Sequence, residues 1–129
     1  MSAAPTILIV DDDPLMRRLY QRPLERSGYR LLEASNGREA LEIAARELPQ
    51  LVVMDVMLPE MDGLTAVLEL KKAEATRAIP VVVVSSNSQY YLNRRDIINM
   101  GAASFLSKPF GAGQLLEAIR QATARSPRG

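Results

Sequence analysis

Four segments of this chain end on residues that could do chemistry together. ILIV (Ile7 to Val10) runs into Asp11 and Asp12, LVVM (Leu51 to Met54) into Asp55, VVVV (Val81 to Val84) into Ser85, and SFLS (Ser104 to Ser107) into Lys108. Carboxylates gathered on one rim repel one another, so either some are protonated or a cation lies between them. A hard divalent ion is the better answer. The chain has no His and no Cys, which leaves oxygen ligands, and Mg²⁺ suits a site of one or two carboxylates, a carbonyl and several waters. Such an ion commonly serves phosphoryl groups. It screens charge as a carboxylate attacks phosphorus, while a lysine and a hydroxyl hold the equatorial oxygens of the transferred group. Asp55, Lys108 and Ser85 are the candidates for those parts.

The elements that must bring these residues together are legible as alternating strands and helices. Short uninterrupted runs of branched apolar residues suit strands covered on both faces, as in a parallel sheet, whose carboxyl-end crevice is where such folds bind ligands. A strand over Thr6–Val10 leads to a helix from Pro14 to about Ser27, with Asp13 as N-cap and Pro14 at N1. Gly28 stops that helix, and YRLLEA (Tyr29 to Ala34) reads as an edge strand. Pro23 falls inside the helix, removes a backbone hydrogen bond there, and predicts a bend. The second helix begins near Gly37, with Asn36 and Glu39 as a capping box and Leu41, Ala44, Ala45 and Leu48 as its apolar face; Pro49 ends it. After Asp55 the stretch VMLPEMDG is a turn-rich loop, and Leu64, Val67 and Leu68 mark one face of a third helix. Pro80 introduces the fourth strand. A helix from about Gln89 to Met100 stops at Gly101, the strand Ser104–Ser107 follows, and a last helix spans about Ala112 to Ala124. The tail RSPRG is expected to fray. Five strand-then-helix repeats without a linker predict a three-layer α/β sandwich and one domain over residues 1–129, its core at about 6–124.

Composition agrees with that size. A chain of 129 residues with 47% hydrophobic content can bury roughly two thirds of its unfolded surface, so it needs no staple. The lack of Cys excludes disulfides and thiolate metal sites, and the lack of His excludes imidazole chemistry. A net charge of +1 and 5% aromatic residues offer neither a basic stripe nor a stacking platform for nucleic acid. No stretch reaches the roughly 20 apolar residues of a membrane span, and MSAAPT lacks the basic-then-apolar pattern of a signal peptide. A cytoplasmic location is expected by default, with Met1 as a natural start. The sequence fits both a stand-alone domain and the N-terminal piece of a longer chain.

The motifs ILIVDDDP, VVMDVMLPEMDG, VVVVSS and GAASFLSKPF, in that order and at that spacing, resemble the receiver domain of two-component response regulators. The resemblance covers nearly the whole chain. It implies a doubly wound, flavodoxin-like sheet of five parallel strands in the order 2-1-3-4-5. It makes Asp55 the phosphoacceptor and Asp11 and Asp12 the acidic pair serving Mg²⁺, Asp12 being favoured as the direct ligand, with Met57 donating a backbone carbonyl. Ser85 matches the switch hydroxyl, Lys108 the lysine on the phosphoryl group, and Phe105 the aromatic that turns inward on activation; Pro109 is expected to follow a cis peptide bond. The implied partner is a sensor histidine kinase or a histidine phosphotransfer protein, small phosphodonors serving as substitutes. The output is a shift of the surface made by the fourth helix, fifth strand and fifth helix, read by an unidentified downstream protein. Such a domain is a switch and not an enzyme, beyond catalysing its own phosphorylation and dephosphorylation.

Plainer readings stand beside these. Asp13 is a helix cap, a lysine before proline is often a solvated loop residue, and Phe105 is core in any account. GAGQLL (Gly111 to Leu116) half matches a dinucleotide fingerprint but sits after the wrong strand, so it is a helix entry. The chain also departs from the family: Ser85 replaces a threonine, Ser86 a small alanine, and the segment from Ser85 to Gly101 is about one residue longer than is usual. Phe105 lacks a tyrosine hydroxyl. Met57 and Asn87 flank the path of the attacking water, and Met57, unable to orient it, is expected to slow dephosphorylation. Two further functions compete with the receiver: a Mg²⁺-dependent aspartyl phosphohydrolase, suggested by the Asp-x-Asp spacing in DDDP, and a phosphorylation-independent protein-interaction module. The first would want a cap domain, and intact Asp55 and Lys108 argue against the second.

Overall fold

The apolar runs become interior strands because only a sheet covered on both faces removes every side chain of such a run from water, at about 1.5–3 kcal/mol for each fully buried Val, Ile or Leu. A computed structural model describes residues 5–85 and 94–124. Its elements are β1 (Thr6–Val10), α1 (Pro14–Arg26), β2 (Arg30–Ala34), α2 (Gly37–Glu47), β3 (Leu51–Asp55), α3 (Gly63–Lys72), β4 (Val81–Ser85), α4 (Arg94–Asn99), β5 (Ser104–Ser107) and α5 (Ala112–Ala124). The strands pair in parallel in the order β2-β1-β3-β4-β5. β3 and β4 are buried throughout, and the edge strands β2 and β5 are partly open.

Alternation along each strand divides the core into two layers. Leu8, Val10, Val52, Met54, Val81 and Val83 pack with Ala44, Val67, Leu70 and Ile97 of α2, α3 and α4. Ile7, Ile9, Leu51, Val53, Val82 and Val84 pack with Tyr20 and Leu24 of α1 and Leu115 and Ile119 of α5. The register sets the rim. Val10 lies opposite Met54, Asp55 opposite Val84 and Ser85 opposite Ser107, so Asp11, Asp55, Ser85 and Lys108 all come to the carboxyl edge of the sheet.

Helix ends follow their capping residues. Asp13 accepts a hydrogen bond from the Leu15 amide at 2.9 Å, and Asn36 one from the Glu39 amide at 2.8 Å. Glu39 turns back to the amide and hydroxyl of Ser35 instead of closing a box on Asn36. α1 continues through Pro23 to Arg26; the Leu19 carbonyl that Pro23 leaves without an in-helix donor belongs to a solvent-exposed residue, where water can serve it.

Two helix faces differ from the sequence expectation. In α2 the buried positions are Gly37, Ala40 and Ala44, whereas Ala45 is exposed and Leu48 is 55% exposed in a left-handed cap. In α3 they are Gly63, Ala66, Val67 and Leu70, and Leu68 is 41% exposed. Glycine sets both rotations. A Cβ on Gly37 would come within 2.7 Å of the Met61 carbonyl oxygen, and one on Gly63 would overlap the Asp55 carbonyl. The stripes start at these small residues, so counting large apolar side chains turned the helices too far. The expected first part of the fourth helix, with Ser86 and Asn87, lies outside the described residues, as does the tail 125–129. No helix among the described residues is long and apolar enough to cross a membrane.

Candidate functional site

The two buried carboxylates, Asp11 and Asp55, are each held by the backbone amide two residues further on. The Asp11 amide donates to the Ala34 carbonyl at 3.1 Å, continuing the β1–β2 ladder, and Asp11 Oδ1 accepts from the Asp13 amide at 3.0 Å. Its side chain is thereby turned into the molecule, and the residue is 1% exposed. Asp12, next along, remains exposed. Asp55 is 5% exposed, and its Oδ1 accepts from the Met57 amide at 3.1 Å. The loop after it is pulled back on itself: the Val56 amide reaches the Val84 carbonyl at 3.0 Å and the Gly63 amide reaches the Val56 carbonyl at 2.9 Å. That return, which the contact at Gly63 allows, opens the space above Asp55.

Lys108 enters from β5. Its amide donates to the Ser85 carbonyl at 2.9 Å, which locks the strand end to β4, and its Nζ lies 3.2 Å from Asp11 Oδ2 and 3.3 Å from Asp55 Oδ2. One ammonium thus bridges two nearly buried carboxylates, and with the exposed Asp12 the carboxylates outnumber it three to one. Burial pushes the Asp55 carboxyl above its ordinary value, and Asp11 adds to that, against the pull of Lys108 and the Met57 amide. Burial alone would lower the Lys108 ammonium; Asp55 and Asp11 together outweigh it and raise the group instead. Carboxylate oxygens of Asp11, Asp12 and Asp55 all lie within 4.8 Å of one another. Three hard oxygen donors, in a chain with no imidazole or thiolate to compete, can hold a small divalent cation, directly or partly through water.

These groups line an open cavity of about 510 Å³, with Met57, Leu58, Pro59 and Asp62 on its far wall. A second, more apolar hollow of about 290 Å³ adjoins it between α1 and the start of α5 and shares Met16 and Lys108 with it. Tyr20 stacks on Phe110 there, ring centroids 5.9 Å apart, and so braces α1 against the segment that follows Lys108. The Lys108–Pro109 peptide bond is cis.

Of the residues singled out from the sequence, Asp11, Asp12, Asp55, Met57 and Lys108 meet in the acidic cavity. Ser85 is buried at the end of β4 and does not line it; Phe105 sits half-buried in β5, packed against the core beneath α4. Sequence reasoning missed Asp62 and Arg17. Asp62 caps α3 by accepting from the Thr65 amide at 2.8 Å, a signal that an Asp two residues before the apolar stripe already carried. Arg17 donates to the Asp11 carbonyl, and its one trace in the sequence is a cation placed in the first turns of a helix, where the dipole disfavours it.

Comparison with known proteins places this arrangement in context. The profile of the response regulator receiver domain matches residues 7–120. The chemotaxis protein CheY of Bacillus subtilis (strain 168) is 39% identical over 119 residues, covering 92% of this chain and 97% of that protein. The DNA-binding dual master transcriptional regulator RpaA of Synechocystis sp. is 34% identical over 96% of this chain, but the match spans 51% of that regulator. Among solved structures, the receiver domain of sensor histidine kinase PA1611 from Pseudomonas aeruginosa PAO1, with a magnesium ion coordinated in its active site cleft, superposes with a TM-score of 0.85 at 27% identity, covering 95% of this chain and 99% of that one.

Proposed function

The chain belongs to the response regulator receiver domain family, and from that premise we propose that Asp55 is its phosphoacceptor, charged from a phosphohistidine on a partner kinase or phosphotransfer protein. The observation that carries this reading is the Lys108 ammonium set 3.2 and 3.3 Å from Asp11 and Asp55 at the floor of an open acidic cavity. An Asp55 oxygen attacks phosphorus, the bond from phosphorus to the imidazole nitrogen breaks, and the imidazole leaves with the electron pair. Burial keeps the Asp55 carboxylate poorly solvated and so more basic, while Lys108 keeps it ionised and then follows the charge onto the phosphoryl oxygens. Asp12, Asp55 and the Met57 carbonyl, supported by Asp11, are the groups that would hold Mg²⁺, which when bound neutralises the phosphoryl oxygens.

Ser85, at the end of β4, donates to the phosphoryl group, and Phe105 moves inward as it does so, altering the face made by α4, β5 and α5 that a downstream protein reads. Met57 places a thioether where a polar side chain would orient water, so the acyl phosphate persists. The domain acts as a single unit over residues 1–129 in the cytoplasm, without direct contact to nucleic acid or membrane. Incubation with Mg²⁺ and acetyl phosphate, followed by intact mass measurement, is expected to show one phosphoryl adduct that is absent in Asp55→Ala. An unmodified wild-type chain, or an adduct that survives Asp55→Ala, would overturn the proposal.

A further inference from the structure

Arg17 occupies the fourth position of α1, close to the helix end whose dipole disfavours a cation, and no acidic residue in the first turn offsets it. Its side chain is nonetheless ordered by two partners on different elements and is 18% exposed. Nη1 donates to the Asp11 backbone carbonyl at 2.6 Å, and Nε to Glu33 Oε1 of the edge strand β2 at 2.8 Å. Every other polar group of Asp11 is already committed. The amide is bonded to Ala34, Oδ1 to the Asp13 amide and Oδ2 to Lys108. The carbonyl is the one remaining handle, and it belongs to the peptide that joins Asp11 to Asp12. Its orientation sets the direction from which the exposed Asp12 carboxylate enters the cavity.

We infer that Arg17, braced by Glu33, is a positioning residue for cation binding: its grip on the Asp11 carbonyl aims Asp12 into the acidic cavity. The inference rests on the reading of that cavity as a Mg²⁺ site, and it makes a prediction opposite in sign to simple electrostatics. Deleting a nearby positive charge should, through space, tighten the binding of a second cation. Deleting a positioning contact should loosen it, and loss of an outer partner of a metal ligand typically weakens affinity about tenfold or more.

Mg²⁺ titration calorimetry on the full chain, at a temperature where circular dichroism shows each variant folded, decides between them. Arg17→Ala is expected to bind Mg²⁺ about tenfold more weakly than wild type. Arg17→Lys keeps the charge but lacks the planar fork that spans two acceptors, so it restores only part of the loss, and Glu33→Gln falls between Arg17→Lys and wild type. An Arg17→Ala dissociation constant equal to or tighter than wild type overturns the inference while leaving the Mg²⁺ site intact. Wild type that binds no Mg²⁺ overturns the site and the inference together. Should Arg17→Ala not fold, Arg17→Lys carries the same decision: weaker binding supports the positioning role, and unchanged binding ends it.

Discussion

Lys71 and Lys108 are both partly buried lysines, one at each edge of the sheet, and their surroundings push them in opposite directions. Lys71, at the end of α3, donates to the carbonyls of Arg77 at 3.1 Å and Ile79 at 2.8 Å, just ahead of β4, and its stem lies against Gly101. Burial lowers its ammonium from the ordinary value of 10.5. Lys108, at the carboxyl edge, suffers the same desolvation, but Asp55 and Asp11 reverse its sign. Carbonyl dipoles satisfy an ammonium's hydrogen bonds without repaying the loss of hydration, whereas full charges within hydrogen-bond reach do repay it. The amino edge therefore uses its lysine to close a turn. The carboxyl edge uses its lysine to hold negative charge in readiness.

The largest effect that would break this contrast is on phosphoryl transfer. Lys108→Met is expected to slow adduct formation from acetyl phosphate by about 10²–10³-fold, the typical cost of removing one donor aimed at developing charge, while Lys71→Met leaves the rate unchanged. Time-resolved intact mass measures both, and equal rates for the two variants would erase the distinction. A smaller effect is on stability in the absence of divalent ions. Lys108→Met leaves two carboxylates facing each other and should cost up to about 3 kcal/mol, the low end for a broken buried pair because the cavity is open to water. Saturating Mg²⁺ should restore most of that loss in urea melts. Lys71→Met should cost about 1–2 kcal/mol through its two carbonyls, whatever the Mg²⁺ concentration.

The smallest effect is in the alkaline limb of stability, and it differs in sign. Lys71 has a depressed folded-state pKa, so between that value and 10.5 the unfolded chain holds a proton the folded chain has released, and stability rises with pH across that window. Lys108 has a raised one, so its contribution is intact below 10.5 and is lost as pH climbs through the folded value above it. Denaturant melts of wild type against each Met variant should show the first difference growing toward 10.5 and the second shrinking beyond it. Parallel differences would mean that the two lysines share one environment.

Much of this molecule could be read from local pattern. ILIV, LVVM and VVVV lie within β1, β3 and β4, and the residues that end them, with Lys108 after β5, reach one edge because parallel strands in register must share it. What escaped was governed by close contact. Hydrophobic spacing places Ala45, Leu48 and Leu68 on buried faces, yet α2 and α3 are turned by Gly37 and Gly63, residues with no side chain to count, pressed against Met61 and Asp55. Arg17 escaped as well, since a guanidinium on a helix that also carries Arg18, Arg22 and Arg26 looks like solvated surface until its bond to the Asp11 carbonyl is seen.

The sequence by itself determined the succession of strands and helices, their approximate ends, and the inventory of acids, hydroxyl and lysine delivered to one rim, because periodicity, capping and residue chemistry act over a few neighbouring positions. The tertiary structure alone decided how the helices are rotated, which carboxylate stays exposed, and whether a partly buried lysine is raised or lowered. Those outcomes depend on pairs such as Lys108 and Asp11, 97 positions apart in the chain and 3.2 Å apart in space, and Coulomb energy and steric overlap answer to distance in space.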